Sequence, residues 1–506
     1  MKNLTKNNIT GWERTMIFVD KTANILHIKM FSLLTVVLTI IGCVSVGPDY
    51  VKPDIQAPAA WHTPLKRGLV SGAMDDKTLS AWWKTLNDPV LDSFVCRAVS
   101  NNLDLKKAKA SIREARARRG VATAELLPAL DATGSSTRSR TGDDTGSTGT
   151  NTLYKAGFDA TWELDIFGGV RRSVEAAEAD LEASQEDMRD TLVSLLGEVV
   201  TNYIEARTYQ ERLAIAEENL KTQGETLQIA VWRNQAGLVD ELDVEQARYG
   251  LESTRSGIPA LRTGMEGAMN RIAVLLGEQP GAISKEMEKP EPVPDIPARV
   301  TVGIPADTIR KRPDIRKAER DLAAQTARVG EATADLYPKF TLSGTLVFEA
   351  LSSQKLFSAN NETRSGSAAV TWPLFQGGSI RNNIEIQSAL QEEAAINYDA
   401  TILNAFEEVE NALVAYGEEQ NKRDALREAE KAARNALELA QYKYQSGLID
   451  FSDVLESERS LLSFQDGLAE SNGAVVTNLV KLYKALGGGW ESAAAGKELN
   501  ADGEKR

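Results

Sequence analysis

Asp453 and Glu456, in the stretch YQSGLIDFSDVLESE, stand three residues apart and share one face of the helix that this stretch begins. Beyond that pair, residues that could do chemistry are sparse. There are two histidines, His27 and His62, and two cysteines, Cys43 and Cys96, with no CxxC. That leaves no basis for a His-based metal centre, a zinc site or a disulfide framework. No P-loop, nucleophile elbow or HExxH helix is present. The 72 Asp and Glu residues are better explained as solvated helix faces than as paired acids, so no enzyme activity and no cofactor are expected. A net charge of −14 argues against nucleic acid as a partner. Cys96, beside Leu91, Phe94 and Val95, reads as a buried core thiol.

Cys43 reads differently. It follows the apolar run Phe31–Ile41, 11 residues long, against the roughly 20 that a membrane-spanning helix needs. Lys21 and Lys29 precede the run, as in the charged start and apolar middle of a secretory signal. Ile40-Ile41-Gly42-Cys43 resembles a bacterial lipobox, which predicts cleavage before Cys43 and lipid attachment there. The 29 residues before Met30 are long for a signal peptide, so Met16 and Met30 are alternative starts. Val44 in place of Asp points to export to the outer membrane.

Stepping along the chain, one offset of 210 residues recurs. Leu103-Asp104-Leu105 matches Pro313-Asp314-Ile315, Thr161-Trp162 matches Thr371-Trp372, and Gly237-Leu238 matches Gly447-Leu448. The chain is a duplicated unit. It divides into a signal peptide (1–42), a lipidated N-terminal segment (43–102), a first repeat (103–278), a Pro-rich linker (279–312), a second repeat (313–486) and a mobile tail (487–506). The six prolines between Pro280 and Pro305 read as an extended connector.

Each repeat has the same order: a helix ended by Pro, two short alternating segments, a very long helical stretch, a Gly-containing turn and a last helix. Tyr154–Ile166 alternates strictly, with Phe158, Trp162 and Leu164 on one side and Lys155, Asp159 and Glu163 on the other; 366–374 and 340–348 do likewise. Runs of about 9–11 residues in an exported chain suit tilted membrane strands. They bracket polar stretches, 131–151 and 349–367, that read as long external loops. Two strands per repeat give four per chain, and an open four-stranded sheet in lipid would leave unpaired edges. Several chains must therefore share one barrel. Two would fill the interior with side chains and three would admit water, with a tetramer also allowed. The stretch 170–235 is 66 residues, about 100 Å as a helix. Leu192, Val199, Ala206, Leu213, Leu220 and Leu227 form a heptad seam within it. The second copy, with Arg423 and Glu430 at matching positions, is less regular. Glycines at 168–169 and 377–378 make the change from strand to helix.

These features resemble the TolC family of outer-membrane efflux proteins, in its lipoprotein, NodT-like branch. The resemblance covers nearly the whole mature chain. It rests on the lipobox followed by VGPDYVKP, on AWWKTLNDPVLDSFVCRAVSNNLDL, on RPDIRKAE, on the Leu127-Pro128 and Tyr337-Pro338 strand entries, and on YQSGLIDFSDVLESE. It implies a mixed α/membrane-β fold in which a homotrimer builds a twelve-stranded β-barrel continuous with a twelve-helix periplasmic α-barrel. It implies diacylglycerol and N-acyl lipid on Cys43, and a passive exit duct docked to a periplasmic adaptor and an inner-membrane transporter. Gly237, Leu238, Gly447 and Leu448 then fall at the helix tips that meet the adaptor. Asp453 and Glu456 fall on an acidic ring at the tunnel's closed end, Asp243 is the first-copy match of Asp453, and Tyr444 falls in the network that holds the tip shut. Ile449 stands where that network has a basic residue. A duct for secreted polypeptides and a coiled-coil structural lipoprotein are the alternative readings.

Overall fold

The 210-residue repeat carries over element by element. The structure, a computed structural model, describes residues 45–72, 75–141 and 149–490; Phe31–Gly42, Cys43 and the chain beyond 490 lie outside the described residues. In order the elements are β1 (Leu69–Ser71), α1 (Asp76–Ser80), a 3-10 turn (Trp82–Leu86), α2 (Pro89–Asn101), α3 (Leu103–Ala124), β2 (Ala129–Thr141), β3 (Gly149–Leu164), α4 (Gly169–Gln235) and α5 (Glu241–Leu275). There follow β4 (Val300–Val302), α6 (Pro305–Lys311), α7 (Pro313–Ala334), β5 (Lys339–Ala350), β6 (Glu362–Thr371), α8 (Ser379–Gln445) and α9 (Phe451–Ala485). Equivalent helices have equal lengths: 22 residues in α3 and α7, 67 in α4 and α8, and 35 in α5 and α9. Among the described residues, no helix is long and apolar enough to cross a membrane.

The chain forms two compact units that cut across both repeats. Of the described residues, one comprises those through Val51 and those within Ala117–Ala179 and Ala323–Glu393; the other comprises those within Lys52–Arg116, Asp180–Leu322 and 394–490.

The first unit holds an antiparallel sheet in the order β2-β3-β5-β6. Both hairpins have the same register: Ala129 pairs with Thr161, and Lys339, 210 residues on, pairs with Thr371. Trp162 Nε1 donates to the Leu126 carbonyl at 3.0 Å and Trp372 Nε1 to that of Leu336 at 3.0 Å, so even this side-chain bond is duplicated. The even-numbered face of the sheet leaves Leu130, Phe158, Trp162, Leu342 and Val370 exposed. Between β3 and α4, Gly168 adopts φ +82°, where an L side chain is strained, and Asp165 accepts from the Val170 and Arg171 amides at 3.2 and 2.9 Å. In the second copy both Gly377 and Gly378 take positive φ, +61° and +90°, with Phe375 at the position of Asp165.

The loops are shorter than the sequence suggests. β2 and β3 run through most of the polar stretch 131–151, as far as Thr141 paired with Gly149. Backbone pairing across a hairpin continues whatever the side-chain polarity, and the Thr residues there favour strand. β6, in contrast, stops at Thr371, before Trp372 and Leu374, because the β5–β6 ladder ends there.

The second unit has a core of Trp82, Leu91, Phe94, Leu192, Leu196, Val199, Tyr203, Ile272, Leu276 and Leu479, with Trp82 stacked 5.3 Å from Tyr483. Two expectations are corrected. The Pro-rich segment is no free connector: Ile283, Met287, Val300 and Val302 join this core, and β4 pairs in parallel with β1, Leu69 opposite Val300. Its apolar residues, spaced between the prolines, fix it to the helices. Cys96 is exposed, because α2 buries Leu91, Phe94, Val95 and Ala98, an i, i+3, i+4, i+7 stripe that leaves position 96 outside.

A buried polar network ties these parts together. Asp88 caps α2 through the Val90 and Leu91 amides, and its other oxygen accepts from the Tyr203 hydroxyl. Arg207, only 1% exposed, donates to Tyr203 Oη at 3.0 Å, to Gln210 Oε1 at 2.8 Å and to the Lys289 carbonyl at 2.9 Å. Burial, with the Asp88 carboxylate beside it, pushes the Tyr203 phenol well above its usual range. Removing a buried, fully engaged charge leaves its acceptors unpaired. Arg207→Met is expected to cost about 3 kcal/mol in thermal or denaturant unfolding, whereas Arg255→Met, at an exposed pair with Glu252, should cost under about 0.5 kcal/mol.

Candidate functional site

Each long helix ends at a glycine. Gly237 and Gly447 have φ +71° and +70°, with nothing within 4 Å of where a Cβ would stand, so backbone conformation and not crowding selects glycine. Leu238 donates its amide to the Arg233 carbonyl at 2.9 Å and Leu448 donates to Lys443 at 3.0 Å, closing both helices in the same way. Both leucine side chains project into solvent.

Beneath the turns lies a small core in which Ala230 and Val244 meet their second-copy equivalents Ala440 and Val454, joined by Ala247 and Phe451, which have no such counterparts in it. Tyr444 packs on it, its ring 5.2 Å from Phe451. The Arg233 guanidinium lies 4.5 Å from the centre of the Tyr444 ring, a cation–π contact. Ile449 joins the apolar core. Arg233 thus places a positive charge on Tyr444 from the other repeat. The 210-residue offset makes Lys443, beside Tyr444, the match of Arg233, a signal that could have pointed to it.

The acidic residues divide into two groups. Asp243, in the first turn of α5, has its amide capped by Asp240 Oδ1 at 3.2 Å. Its carboxyl is pushed upward by burial and by the charges of Asp240 and Asp450, with Arg233 opposing. The Tyr444 phenol is likewise raised, first by burial and then by Asp243, with Arg233 again opposing. Asp243, Tyr444 and Arg233 therefore act on one another. Asp453 and Glu456 are not part of this cluster: they lie on the exposed face of α9, away from the buried Phe451, Val454, Glu458 and Leu461. Glu456 accepts from Arg459 Nη1 at 2.7 Å, and Arg459 Nη2 donates to Tyr249 Oη at 2.9 Å. Sequence reasoning missed this brace. It also missed Glu458, a buried carboxyl held by the Thr226 hydroxyl at 2.8 Å and raised by burial.

A sheet with an exposed apolar face, long polar helices and acidic helix tips, all duplicated, can be compared with known proteins. The model of the "Outer membrane efflux protein" family matches residues 95–278 and again 304–488. The chain belongs to this family. The outer-membrane efflux proteins are ducts rather than an enzyme family, and the two matches follow the two repeats. The chain is 36% identical to nodulation protein T of Rhizobium leguminosarum bv. trifolii, over 90% of this chain and 97% of that protein. It is 31% identical to the probable efflux pump outer membrane protein TtgC of Pseudomonas putida, over 91% and 96%. Among solved structures, the outer-membrane channel OprN superposes with a TM-score of 0.82 at 35% identity, covering 88% of this chain and 99% of that one. CusC gives 0.76 at 28% identity, covering 88% and 100%. This efflux protein is accordingly an outer-membrane component with a TolC-like helical body.

A carboxyl raised by folding binds its proton more tightly in the packed tip than in the opened chain. Asp243 therefore favours the packed tip at low pH, and that contribution is lost as pH rises past the ordinary value of 3.8. Asp243→Asn is expected to slow hydrogen exchange of the Val244 and Ala247 amides at pH 7, with the difference from wild type shrinking towards pH 4. Faster exchange in the variant at pH 7 would mean that attraction between Asp243 and the helix N-terminus outweighs the crowding.

Proposed function

We propose that three copies of this chain form the outer-membrane exit duct of a tripartite efflux pump. Their four strands each make a twelve-stranded barrel, and their long helices make a tunnel in the periplasm. The observation that carries the reading is the sheet: four strands with an apolar face and two free edges, in a chain with no helix among the described residues long and apolar enough to cross a membrane. Three such sheets close with a lumen wide enough for water. The duct is passive. Cargo arrives from an inner-membrane transporter through a periplasmic adaptor that meets the tips at Gly237, Leu238, Gly447 and Leu448, and lipid on Cys43 adds a second anchor in the outer leaflet. Relatives named for export of toluene in Pseudomonas putida and of pyoverdine in Pseudomonas aeruginosa support small molecules as the cargo.

Asp453 and Glu456 line the narrow mouth formed by the tips, where the carboxylates of three chains attract cations and repel one another. Arg459 offsets Glu456, so Asp453 carries most of the effect. Arg233, Tyr444 and Asp243 hold the mouth closed from beneath. Deleting the gene is expected to sensitise cells to a panel of toxic compounds, and the wild-type gene to restore resistance. In planar bilayers, Asp453→Ala with Glu456→Ala should weaken block by divalent cations about tenfold, with Asp453→Ala alone giving most of the change. Unaltered block in the double variant would remove these residues from the mouth.

A further inference from the structure

The duplication fixes more than the number of strands. The hairpins of the two copies are in identical register, and the copies are joined by the β3–β5 ladder, which runs from Tyr154 opposite Ala350 to Leu164 opposite Phe340. A closed barrel of repeated units must make that junction again wherever the second copy of one chain meets the first copy of the next, with the same stagger each time. Carried 210 residues along, the positions of β3 become those of β6, and the positions of β5 become those of β2 in the neighbouring chain.

We propose that β6 of one copy pairs antiparallel with β2 of a second copy in the register that sets Arg364 opposite Arg140 and Leu374 opposite Leu130. This rests on the shared-barrel reading above and adds its residue-level interface. Two observations support it, and a third answers the one pairing that opposes it. The register keeps the exposed apolar residues on one face: Val370 meets Gly134, Trp372 meets Ala132 and Leu374 meets Leu130, as Ala160 meets Gly344 and Trp162 meets Leu342 within the chain. A slip of one residue would turn that face inward. Next, β2 pairs with β3 only as far as Thr161, and Trp162–Leu164 are strand because β5 extends beside them. Their counterparts Trp372–Leu374 have no such neighbour, and β6 ends at Thr371. The second copy supplies what is missing, so these three residues become strand on assembly. Pro373, lacking an amide hydrogen, costs at most one ladder bond. Last, Arg364 opposite Arg140 is repulsive by itself, but Glu362 is already ion-paired with Arg364 and offsets it.

The register is read by disulfide cross-linking in the full-length protein in outer membranes, in a Cys96→Ser background. Opposed residues in a strand pair fall within disulfide reach, whereas diagonal ones, about 7–8 Å apart, do not. Ser367→Cys with Thr137→Cys is the in-register pair. Ser367→Cys with Ser135→Cys, or with Ser139→Cys, tests slips of two residues either way. The in-register pair should give covalent dimers and a closed covalent trimer on mild oxidation, about tenfold faster than either slipped pair. Ser365→Cys with Ser139→Cys and Ala369→Cys with Ser135→Cys should behave like it. Faster cross-linking of a slipped pair overturns the register and leaves the shared barrel standing. Absence of cross-links from all five pairs, while the single-cysteine proteins still migrate as heat-modifiable oligomers, overturns strand sharing through β6 and β2.

Discussion

A backbone amide or carbonyl without a partner in hydrocarbon costs several kcal/mol, and the sheet of this efflux protein ends in two rows of them, along β2 and β6. Among the described residues nothing else pairs with these edges, and four strands are too few to curl into a barrel. In the proposed trimer, the need to pair these edges brings the copies together around one lumen and so turns a small sheet into a pore. The apolar and polar faces of the sheet are the other half of the same constraint, because in such a barrel each strand alternates between lipid and water.

Duplication is the economical answer to it. Each repeat supplies a hairpin and a pair of helices of the same lengths, with equivalent details down to the Trp162 and Trp372 indole bonds. Where the copies diverge, the differences serve local packing. Asn102 donates to the Leu275 carbonyl at 2.9 Å, and its counterpart Arg312 donates to that of Ala485 at 2.8 Å while also binding Asp314 and Glu408. At the tips the glycine turns are the same, but Arg233 lies on Tyr444 and Arg459 braces Glu456. In the proposed three-chain tunnel, these unlike copies would give the mouth six tips of two kinds.

Much of this was legible in the sequence, for physical reasons. Period-two alternation with charges on one face marked the strands, the unbroken polar stretch between glycines marked helices of 67 residues, and the constant offset exposed the repeat. What escaped depends on three-dimensional neighbours. Cys96 looked buried because it is next to Val95 in sequence, yet helical geometry turns it outward. The prolines hid the apolar residues that seat the linker in the core. β2 and β3 outran their apolar alternation because a hairpin satisfies its backbone regardless of side chains. Arg233 was missed because its partner lies in the other repeat; the offset to Lys443 hinted at it, but only the fold brings Arg233 onto Tyr444.

The proposed duct depends on the sharing of one barrel among three chains. Native mass spectrometry of the protein extracted from outer membranes in mild detergent measures that stoichiometry directly. It predicts a complex of three lipidated chains that dissociates on heating in SDS to a single species. A monomer, or a complex of two or four chains, would contradict it.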